Sequence, residues 1–520
     1  MVDRSMFKPF DIVQEIWTHL DLPPSALSSL ALPGTNPTSG QIGPMVPSSF
    51  KIAHLAQGAI ALSALSAALV RSMLDHPTLS PFSIPVPRTS VPLRHAVLEF
   101  QCERLYTLAG KPPAPTWGPI GGLYPTADGH IRIHDAFPHH RRGALALFGL
   151  PDTCTDRHAV SEHTRKWKSV ELETVAVEEK GLALYALRSF EEWDALPQAR
   201  ALGDLPVSVR RVGHLSPPST SPSALSAFRR SPLDGHAQLK QQCLSGVRVL
   251  ELSRVIAAPV AGKTLAAHGA DVLWVTSPHL PDLPGLDREF ARGKRSIQLD
   301  LNSSSDRAKM LELAHTADVV IQGYRPGSLA ARGLDAEELG RANPGIVIAN
   351  MSAFGPDGEW KDRRGFDSLV QTCSGLNVSE AEHYGDGAVA RALPCQALDH
   401  GAGFLFASGI CAALYHREKD RAEGRSVRAY VVDVSLAGVM KYLRSLGQYD
   451  GRSGFEEQDV TILGVDKDKK EEEEAYFETR PTRFGEMRFL RHAANIEGFE
   501  PAWTIMPRPL GSDEAVWLCP

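Results

Sequence analysis

Two aspartates in this 520-residue sequence stand where a carboxylate could do chemistry. Asp399 lies in QALDHGAGF and Asp367 lies in RRGFD. Asp is a good N-cap, so Asp399 could simply cap a helix that begins at His400. An ionised carboxylate is also a nucleophile, and the N-terminus of a helix would keep it ionised. The neighbouring Gly401 and Gly403 either leave room for a substrate or serve close helix packing.

Basic side chains occur together in RGKRSI, where Lys294 is followed by Arg295. These two cations could pair with phosphate or pyrophosphate, and solvated surface charge is the alternative. Three histidines, His134, His139 and His140, also invite a metal site. Their spacing fits no standard zinc site, and no cysteine or carboxylate cluster accompanies them. The histidines are therefore expected to be structural, and no metal is predicted.

The composition is that of an ordinary globular protein, with 43% hydrophobic and 22% charged residues. The formal net charge of -6 provides no basic field for nucleic acid, so no nucleic-acid partner is expected. Seven scattered cysteines without C-x-x-C spacing argue for a reducing compartment and against a disulfide framework. Because the N-terminus has no apolar signal region, the expected location is the cytoplasm.

The elements that must position these residues alternate between strand and helix in the second half. Short apolar runs predict buried strands in VRVLELS, ADVLWV, RSIQLDL, ADVVIQ and GIVIANM. Helices are expected from Pro259, from Asp306 and over Asp335–Ala342. This alternation predicts an α/β fold with a Rossmann-like, doubly wound parallel sheet. Ligands bind at the carboxyl ends of such strands, which are Ser253–Arg254, Gln322–Arg325 and Ser352–Gly355.

The first half has a different pattern, which predicts a smaller α+β domain. In GLYPTADGHIRIHDAFPHHRRGALALFGL, a turn at Asp128–Gly129 leads into a strand and then a helix. A mostly helical stretch, Arg165–Leu196, follows and is expected to stop at Pro197.

One long segment of the first half resembles a segment of the second. Phe50–Arg71 and Gln396–Arg417 are both helical in pattern, and both are rich in small residues. Ala53–Val70 is just long enough to span a membrane. It contains His54 and Gln57, so a buried core helix is the better interpretation and no membrane partner is expected. In this alignment Asp399 falls opposite Ala53, or opposite His54 with a slip of one residue.

A second match follows in the same order, because RHAVLEFQ (Arg94–Gln101) resembles RAYVVDVS (Arg428–Ser435). Both are interpreted as strands that carry a carboxylate, Glu99 in one and Asp433 in the other. Two matches in order indicate a duplicated unit. The predicted organisation is a degenerate first copy with a small α+β domain (1–212), a Pro/Ser-rich linker (213–240), and a Rossmann-like second copy with Asp399 (241–520).

Several segments of the second half resemble family III CoA-transferases (the CaiB/BaiF family), in the family's order and near its spacing. They are GVRVLELSRVIAAPVAGKTLAAHGADVLWV, RGKRSIQLDL, ADVVIQGYRPGSLAARGLD, NPGIVIANMSAFGPDGEWKDRRGFDSLVQTCSGL and QALDHGAGFLFASGICAALYHREK. The family includes formyl-CoA transferase, carnitine CoA-transferase and α-methylacyl-CoA racemase. Its members are usually interlocked dimers of a Rossmann-like domain and a small domain. The resemblance therefore implies two unequal fused copies, as a pseudo-dimeric monomer or a homodimer.

The resemblance also implies an activity, which is transfer of CoA between carboxylic acids. Asp399 aligns with the family's nucleophile, which forms an aspartyl-CoA thioester, and Asp367 matches its nearby acidic position. The expected partners are an acyl-CoA and a small carboxylic acid, with CoA as substrate and no permanently bound cofactor. The duplicated pattern has no carboxylate opposite Asp399, so one working site is expected in each chain.

The positions that match the family's CoA contacts are Arg254, Val255, Ala257, Lys294, Arg295, Tyr324 and Arg332. The first three match the backbone at the end of the first strand, and the Lys-Arg pair matches the residues near the phosphates. Tyr324 stands where an aromatic ring often stacks near the adenine.

The sequence departs from the family at several positions. Thr276 and Ser277 replace its acidic-basic pair, Gly323 replaces an asparagine, and the arginine after R-P-G comes one place later. The racemases' α-proton histidine is Phe366 here, which favours transfer over racemisation. The family's mobile glycine loop corresponds to Gly118–Gly122, for which a plain turn is the alternative. A racemase or isomerase and a weak acyl-CoA-binding protein remain the other hypotheses.

Overall fold

A computed structural model describes residues 2–34, 42–79, 84–212, 241–456 and 474–518. The predicted linker, 213–240, lies outside the described residues. The α-helices are Pro9–His19, Ile52–Asp75, Leu93–Glu99, Cys102–Leu105, Pro138–Leu147, Arg157–Thr164, Ser169–Thr174, Phe190–Asp194, Pro197–Ala201, Ala257–Ala267, Pro284–Phe290, Ser304–His315, Ala336–Ala342, Asp367–Cys373, Leu376–Tyr384, Ala397–Ala422 and Leu436–Ser445. The strands are β1 (Leu30–Ala31), β2 (Thr89–Ser90), β3 (Thr107–Leu108), β4 (Gly122–Pro125), β5 (His130–Ile133), β6 (Leu184–Ala186), β7 (Val207–Arg211), β8 (Arg248–Leu252), β9 (Asp271–Thr276), β10 (Lys294–Gln298), β11 (Val319–Gln322), β12 (Val347–Ser352), β13 (Tyr430–Ser435), β14 (Phe477–Thr482), β15 (Gly485–Leu490) and β16 (Asn495–Ile496).

A seven-stranded sheet organises the second half, with the order β10-β9-β8-β11-β12-β13-β7. The pairs from β10 through β13 are all parallel, as predicted from the alternating pattern. The apolar runs form these strands because both faces of the sheet are covered, which suits continuous Val, Ile and Leu. All five predicted strands lie in this sheet, and the strand order reverses direction at β8 and β11. A crevice for ligands is expected at that point.

The first half is tied into the second through shared sheets. Strand β7 pairs antiparallel with β13 and closes the edge of the large sheet. Strand β3 pairs with β15, and β2 pairs with β16, near the end of the chain. Residues from both halves therefore contribute to each of these three sheets.

A smaller unit with its own core surrounds the three-stranded sheet β4-β5-β6. The predicted turn at Asp128–Gly129 joins β4 to β5, and the expected helix follows as Pro138–Leu147. The predicted helical stretch Arg165–Leu196 is wrong in part, because β6 interrupts it. Pro197 begins a short helix instead of ending one, since proline lacks the N–H that a first helical turn leaves unpaired.

Two long helices, Ile52–Asp75 and Ala397–Ala422, pack together in the centre of the molecule. Each is long and apolar enough to cross a membrane by length and composition, and the apolar window of each is entirely buried inside the protein. The prediction of a buried core helix is therefore confirmed. The residues before them have nearly the same backbone, with φ -78° and ψ 55° at Lys51 and φ -79° and ψ 62° at Gln396.

The second match between the halves fails in the structure. The segment Arg94–Gln101, predicted as a strand, contains the helix Leu93–Glu99, whereas its counterpart is the strand β13. Pro92 precedes the first turn of this helix. The Glu99 carboxylate accepts hydrogen bonds from His492 Nδ1 (2.9 Å) and from the backbone N–H of Ala493 (2.8 Å). These distant contacts, which the local pattern does not contain, fix the orientation of the helix.

We expect Gly403→Ala to destabilise the fold at the crossing of the central helix with Ala257–Ala267. A Cβ at position 403 would lie 2.5 Å from Val260 Cβ and 2.6 Å from the carbonyl oxygen of Ala257. Overpacking against backbone should lower the free energy of unfolding by about 1–3 kcal/mol. Urea denaturation measures this change.

Gly401→Ala is the matched control in the same helix. Its Cβ would meet Leu55 Cδ2 at 3.0 Å and Val439 Cγ1 at 3.1 Å, and side-chain ends can move aside. We therefore expect a smaller loss than at Gly403. Equal losses would mean that the close helix crossing does not constrain residue 403.

Candidate active site

Asp399 lies in the first turn of the helix Ala397–Ala422, with only 8% of its surface exposed. The residue that precedes the helix is Gln396, so the interpretation of Asp399 as the N-cap of a helix from His400 is wrong. The capping function is performed by Asp367, whose Oδ2 accepts hydrogen bonds from the backbone N–H groups of Leu398 (2.8 Å) and Asp399 (3.0 Å). The Asp399 carboxyl is therefore not used to cap the helix N-terminus.

Asp367 is the first residue of the helix Asp367–Cys373 and is almost fully buried. Its Oδ1 accepts a hydrogen bond from the side-chain amide of Gln371. Burial raises the pKa of Asp367 to about 6, and the hydrogen bonds from Asp399 and Gln371 oppose that rise. Asp367 thus holds the start of the central helix in place and leaves the adjacent carboxyl available.

A third buried carboxylate, Glu103, reaches the site from the first half of the chain. It lies in the short helix Cys102–Leu105, and its Oε2 is 2.9 Å from His400 Nε2. Burial pushes the pKa of Glu103 upward, but the charge and hydrogen bond of His400 outweigh it and the pKa is lowered. The His400 ring also stacks on Phe100, with the ring centroids 5.6 Å apart. No motif in the sequence pointed to Glu103, since it meets His400 only through tertiary packing.

Burial raises the pKa of Asp399 well above its usual value of 3.8, and the negative charges of Asp367 and Glu103 raise it further. A carboxylate whose charge is so poorly stabilised is a stronger nucleophile once it is ionised. Perturbed carboxyl groups that share a cavity are also typical of functional sites. The cluster therefore has the properties that covalent catalysis by a carboxylate needs.

We expect the stability of the protein to fall with rising pH more steeply than that of Asp399→Asn. Above the usual pKa of 3.8 the unfolded Asp399 loses its proton, while the buried group keeps its proton up to its raised pKa. Rising pH therefore favours the unfolded chain. The same holds for Asp367 between 3.8 and about 6. In urea titrations from pH 4 upward, the stability of the protein should fall relative to that of Asp399→Asn by roughly 1 kcal/mol per pH unit until the pH reaches the raised pKa of Asp399. Parallel stability curves would contradict the raised pKa.

A cavity of about 360 Å³, here called the proline-lined cavity, opens on one side of Asp399. Much of its wall is the segment 112–117, which has the sequence PPAPTW. Ile256, Leu286 and Phe366 add apolar surface. Its charged lining residues are Glu103, Arg104, Asp367 and Asp399. This cavity is mostly apolar, with its carboxylates gathered around Asp399.

A second cavity of about 460 Å³, here called the arginine-lined cleft, is also lined by Asp399. It follows the carboxyl ends of β8, β11 and β12, where the sequence predicted a ligand crevice. Its arginines are Arg254, Arg325, Arg332, Arg363 and Arg364. Among the described residues that line it, Asp399 is the one carboxylate. The cleft is therefore suited to a polyanion.

The two cavities meet at Asp399 and at the turn after β8. Asp399, Val255, Ile256 and Phe366 line both of them. Val255 has a φ of 72°, in the left-handed region that a β-branched residue avoids. Such backbone strain is concentrated at functional sites. A substrate that occupied both cavities would therefore lie next to Asp399.

Five of the seven predicted CoA-contact residues line the cleft, namely Arg254, Val255, Ala257, Tyr324 and Arg332. The guanidinium of Arg254 lies 4.4 Å from the ring centroid of Phe137 and donates a hydrogen bond to the carbonyl of Pro281. Arg332 donates to the carbonyl of Ser328 at 2.7 Å. Sequence reasoning did not single out Arg325 and Arg364 as ligands, although both lie in quoted motifs. Within the described ranges, neither of these two side chains forms an ion pair.

Lys294 and Arg295 do not lie in either cavity, so the structure does not support their predicted role at the phosphates. Lys294 Nζ is 2.8 Å from both carboxylate oxygens of Glu251, and both side chains are fully buried. Arg295 pairs with Asp271 at 2.9 Å and donates to the carbonyl of Val516 at 2.6 Å. The motif RGKRSI therefore leads into strand β10. There Lys294 pairs with a carboxylate in the core, and Arg295 contacts the C-terminal segment.

Phe366 stacks on a histidine from the first half. The ring centroids of Phe366 and His134 are 3.9 Å apart, with 14° between their planes. Burial, together with His140 and Arg132, lowers the pKa of His134 to about 3. Since the ideal general base has a pKa near the operating pH, this imidazole is a weak base for removing an α-proton.

The glycine loop Gly118–Gly122 wraps around a buried carboxylate. Asp135 accepts hydrogen bonds from the backbone N–H groups of Gly118 (3.0 Å) and Ile120 (2.8 Å). A Cβ at Gly121 would lie 2.2 Å from Asp135 Oδ1, so the glycine is required for this close approach.

Similarly, a Cβ at Gly323 would lie 2.8 Å from Ala258 Cβ, which accounts for the glycine at a position where the family has asparagine.

The comparisons with known proteins concern mainly the second half. The sequence profile of CoA-transferase family III matches residues 244–461. An acyl-CoA transferase of Gibberella moniliformis is 30% identical over 57% of this chain and 52% of its own length. A probable fatty acyl-CoA transferase of Mycobacterium tuberculosis is 34% identical, and a succinate–glutarate CoA-transferase of Agrobacterium fabrum is 36% identical. Each of these two matches covers 37% of this chain and 52% of the relative.

The chain spans about half the length of the curated relatives that it matches. A crystal structure of the Mycobacterium tuberculosis protein matches 39% of this chain and 56% of its own, with 31% identity and a TM-score of 0.36.

Proposed function

We propose that the protein transfers CoA between carboxylic acids, from the geometry of its site and from the match of residues 244–461 to CoA-transferase family III. The observation that supports this most strongly is the position of Asp399. Its carboxyl is buried, does not cap its own helix, and lies where an arginine-lined cleft meets an apolar cavity. CoA would occupy the cleft, with its phosphates near Arg325 and Arg364. The partners are an acyl-CoA donor and a carboxylic acid acceptor.

The first half of the proposed reaction removes the acyl group from CoA. Ionised Asp399 attacks the thioester carbonyl, and the carbon–sulfur bond breaks to give an aspartyl mixed anhydride and CoA thiolate. The thiolate then attacks the aspartyl carbonyl carbon. The anhydride C–O bond breaks, the donor acid leaves as a carboxylate, and Asp399 becomes an aspartyl-CoA thioester.

The second half repeats these steps with the acceptor. Its carboxylate attacks the aspartyl-CoA thioester and gives a new mixed anhydride and CoA thiolate. The thiolate attacks the acceptor carbonyl, which forms the product thioester and restores the Asp399 carboxylate. Each intermediate is sensitive to water, and the buried position of Asp399 limits access of water to it.

Racemisation of an acyl-CoA is disfavoured by the residues around Asp399. A racemase needs a base on each face of the α-carbon, and position 366 is phenylalanine. The neighbouring His134 has a pKa lowered to about 3 by its burial. The site therefore supports the transferase reaction better than its racemase alternative.

We further propose that the two halves are unequal fused copies that form one site. The central helices start with nearly the same backbone, and His54 is the third residue of the first as Asp399 is of the second. His54 cannot form an acyl anhydride, and the first half instead supplies Glu103 and Trp117 to the proline-lined cavity. One covalent adduct per chain is the expected stoichiometry, and two would contradict it.

Chemical trapping tests the proposed activity. The protein is incubated with acetyl-CoA, treated with hydroxylamine or borohydride, digested and analysed by mass spectrometry. We expect the modification on the peptide that contains Asp399. The proposal fails if no peptide is modified and the enzyme instead exchanges the α-proton of the acyl group with deuterium.

A further inference from the structure

We propose that the proline-lined cavity receives the acyl group and selects an uncharged, apolar acyl chain over one that ends in a second carboxylate. This inference rests on the proposed function, since it concerns the substrate that Asp399 attacks.

One wall of the cavity is the apolar segment 112–117. Its Ala114 contacts the start of the helix Pro284–Phe290, where a Cβ added at Gly285 would lie 2.9 Å from the carbonyl oxygen of Ala114. Tyr106 Oη donates a hydrogen bond to the carbonyl of Gly285 at 2.8 Å. The proline rings of this segment and Trp117 present an apolar surface to a bound chain.

The part of the wall next to Trp117 is aromatic, and the described side chains that line it carry no positive charge. Arg132 lies behind it, with its guanidinium 6.0 Å from the Trp117 ring centroid, and does not line the cavity. His134 stacks on Phe366, and the Trp117 ring meets His134 edge-on with the centroids 5.0 Å apart. The lowered pKa keeps the imidazole neutral at pH 7. These rings offer dispersion contacts to an alkyl or aryl chain and no partner for an anion.

Two ionised carboxylates in the cavity wall repel a second carboxylate. Glu103, whose pKa is lowered, and Asp367, whose pKa is raised to about 6, line the cavity and are buried, and both are mainly ionised at pH 7. Arg104 is exposed, and its Nη1 donates to the carbonyl of Pro394. A dicarboxylic acyl group would therefore bring its free carboxylate close to these two charges in a site of low dielectric constant, where like-charge repulsion is strong.

A matched pair of thioesters tests this selectivity with the full-length protein. Succinyl-CoA and 4-methylpentanoyl-CoA have the same shape, but the first ends in a carboxylate and the second in two methyl groups. We expect kcat/KM for formation of the Asp399 adduct to be at least roughly tenfold higher for 4-methylpentanoyl-CoA, which corresponds to one modest charge interaction. Acetyl-CoA serves as the reference thioester for both.

Two variants test whether residues in the wall of the proline-lined cavity determine the preference for the apolar acyl chain. Glu103→Gln removes one negative charge and should narrow the preference against succinyl-CoA. Trp117→Ala should lower kcat/KM for 4-methylpentanoyl-CoA, and Trp117→Phe should restore most of it. Circular dichroism confirms that each variant is folded.

The outcomes separate this inference from the proposed function. Equal rates for the matched pair, or a preference for succinyl-CoA, overturn the selectivity while leaving Asp399 as the nucleophile. An adduct with acetyl-CoA but not with 4-methylpentanoyl-CoA also overturns it. If no thioester of the three modifies Asp399, the proposed transferase reaction itself fails.

Discussion

Asp399→Asn is expected to lower the rate of CoA transfer by at least about three orders of magnitude, as loss of a covalent nucleophile typically does. An amide has nearly the same shape as the carboxyl group but does not form the mixed anhydride. Because burial and the charges of Asp367 and Glu103 disfavour an ionised Asp399, the neutral amide should not destabilise the fold. The expected result is an inactive protein whose midpoint of thermal unfolding is unchanged or raised.

Asp399→Glu is the matched control for this prediction. It keeps the charge but moves the carboxylate by one methylene, which should also cost activity because the reacting atoms must be closely aligned. Transfer assays with a labelled acceptor acid measure both variants, and calorimetry measures their stability. An Asn variant that unfolds would indicate a structural role for Asp399. An Asn variant that retains full transfer activity would show that Asp399 is not the nucleophile.

Lys294→Met is expected to lower the free energy of unfolding by about 3–5 kcal/mol, because it leaves a buried carboxylate without its partner. Glu251 and Lys294 are both fully buried, and Lys294 Nζ also donates to the carbonyl of Pro259 at 2.9 Å. The glycine at position 262 leaves the space for this pair, since a Cβ there would lie 1.7 Å from Glu251 Oε2. Urea denaturation gives the change in stability.

Arg325→Met provides the contrasting variant in the arginine-lined cleft. Arg325 is exposed, so its loss should leave stability nearly unchanged and weaken CoA binding measured by calorimetric titration. If Lys294→Met were instead stable but bound CoA weakly, Lys294 would be a ligand of the CoA phosphates and its structural role would be contradicted.

The large sheet could be predicted because each of its predicted strands is formed by a short, continuous apolar run in the sequence. Each apolar run is long enough for one strand, and the N-cap Asp335 marks where a helix begins. The helix predicted from Pro259 begins two residues earlier, at Ala257. The parallel arrangement and the crevice at the strand ends follow from the alternation of elements. For the same reason the position of Asp399, at the start of the long helix, could be inferred from the sequence.

The parts that were missed depend on contacts between distant residues. Glu103 approaches His400 across 297 positions of sequence. The charge of Lys294 suggested a phosphate ligand, and only the fold shows that Glu251 already binds it. The segment around Glu99 is apolar enough for either secondary structure, and the contacts with His492 and Ala493 favour the helix. Local pattern does not encode such partners.

Transfer of oxygen from the acceptor to Asp399 tests the covalent route most directly. The enzyme is allowed to turn over with an acceptor acid labelled with oxygen-18 in its carboxylate. The protein is then digested, and the mass of the peptide that contains Asp399 is measured by mass spectrometry. Because the second anhydride, which joins Asp399 to the acceptor, is opened at the acyl carbon of the acceptor, one labelled oxygen should remain on Asp399 after a single complete turnover. An unlabelled Asp399 peptide after proven formation of labelled product would show that CoA reaches the acceptor without the aspartyl intermediate.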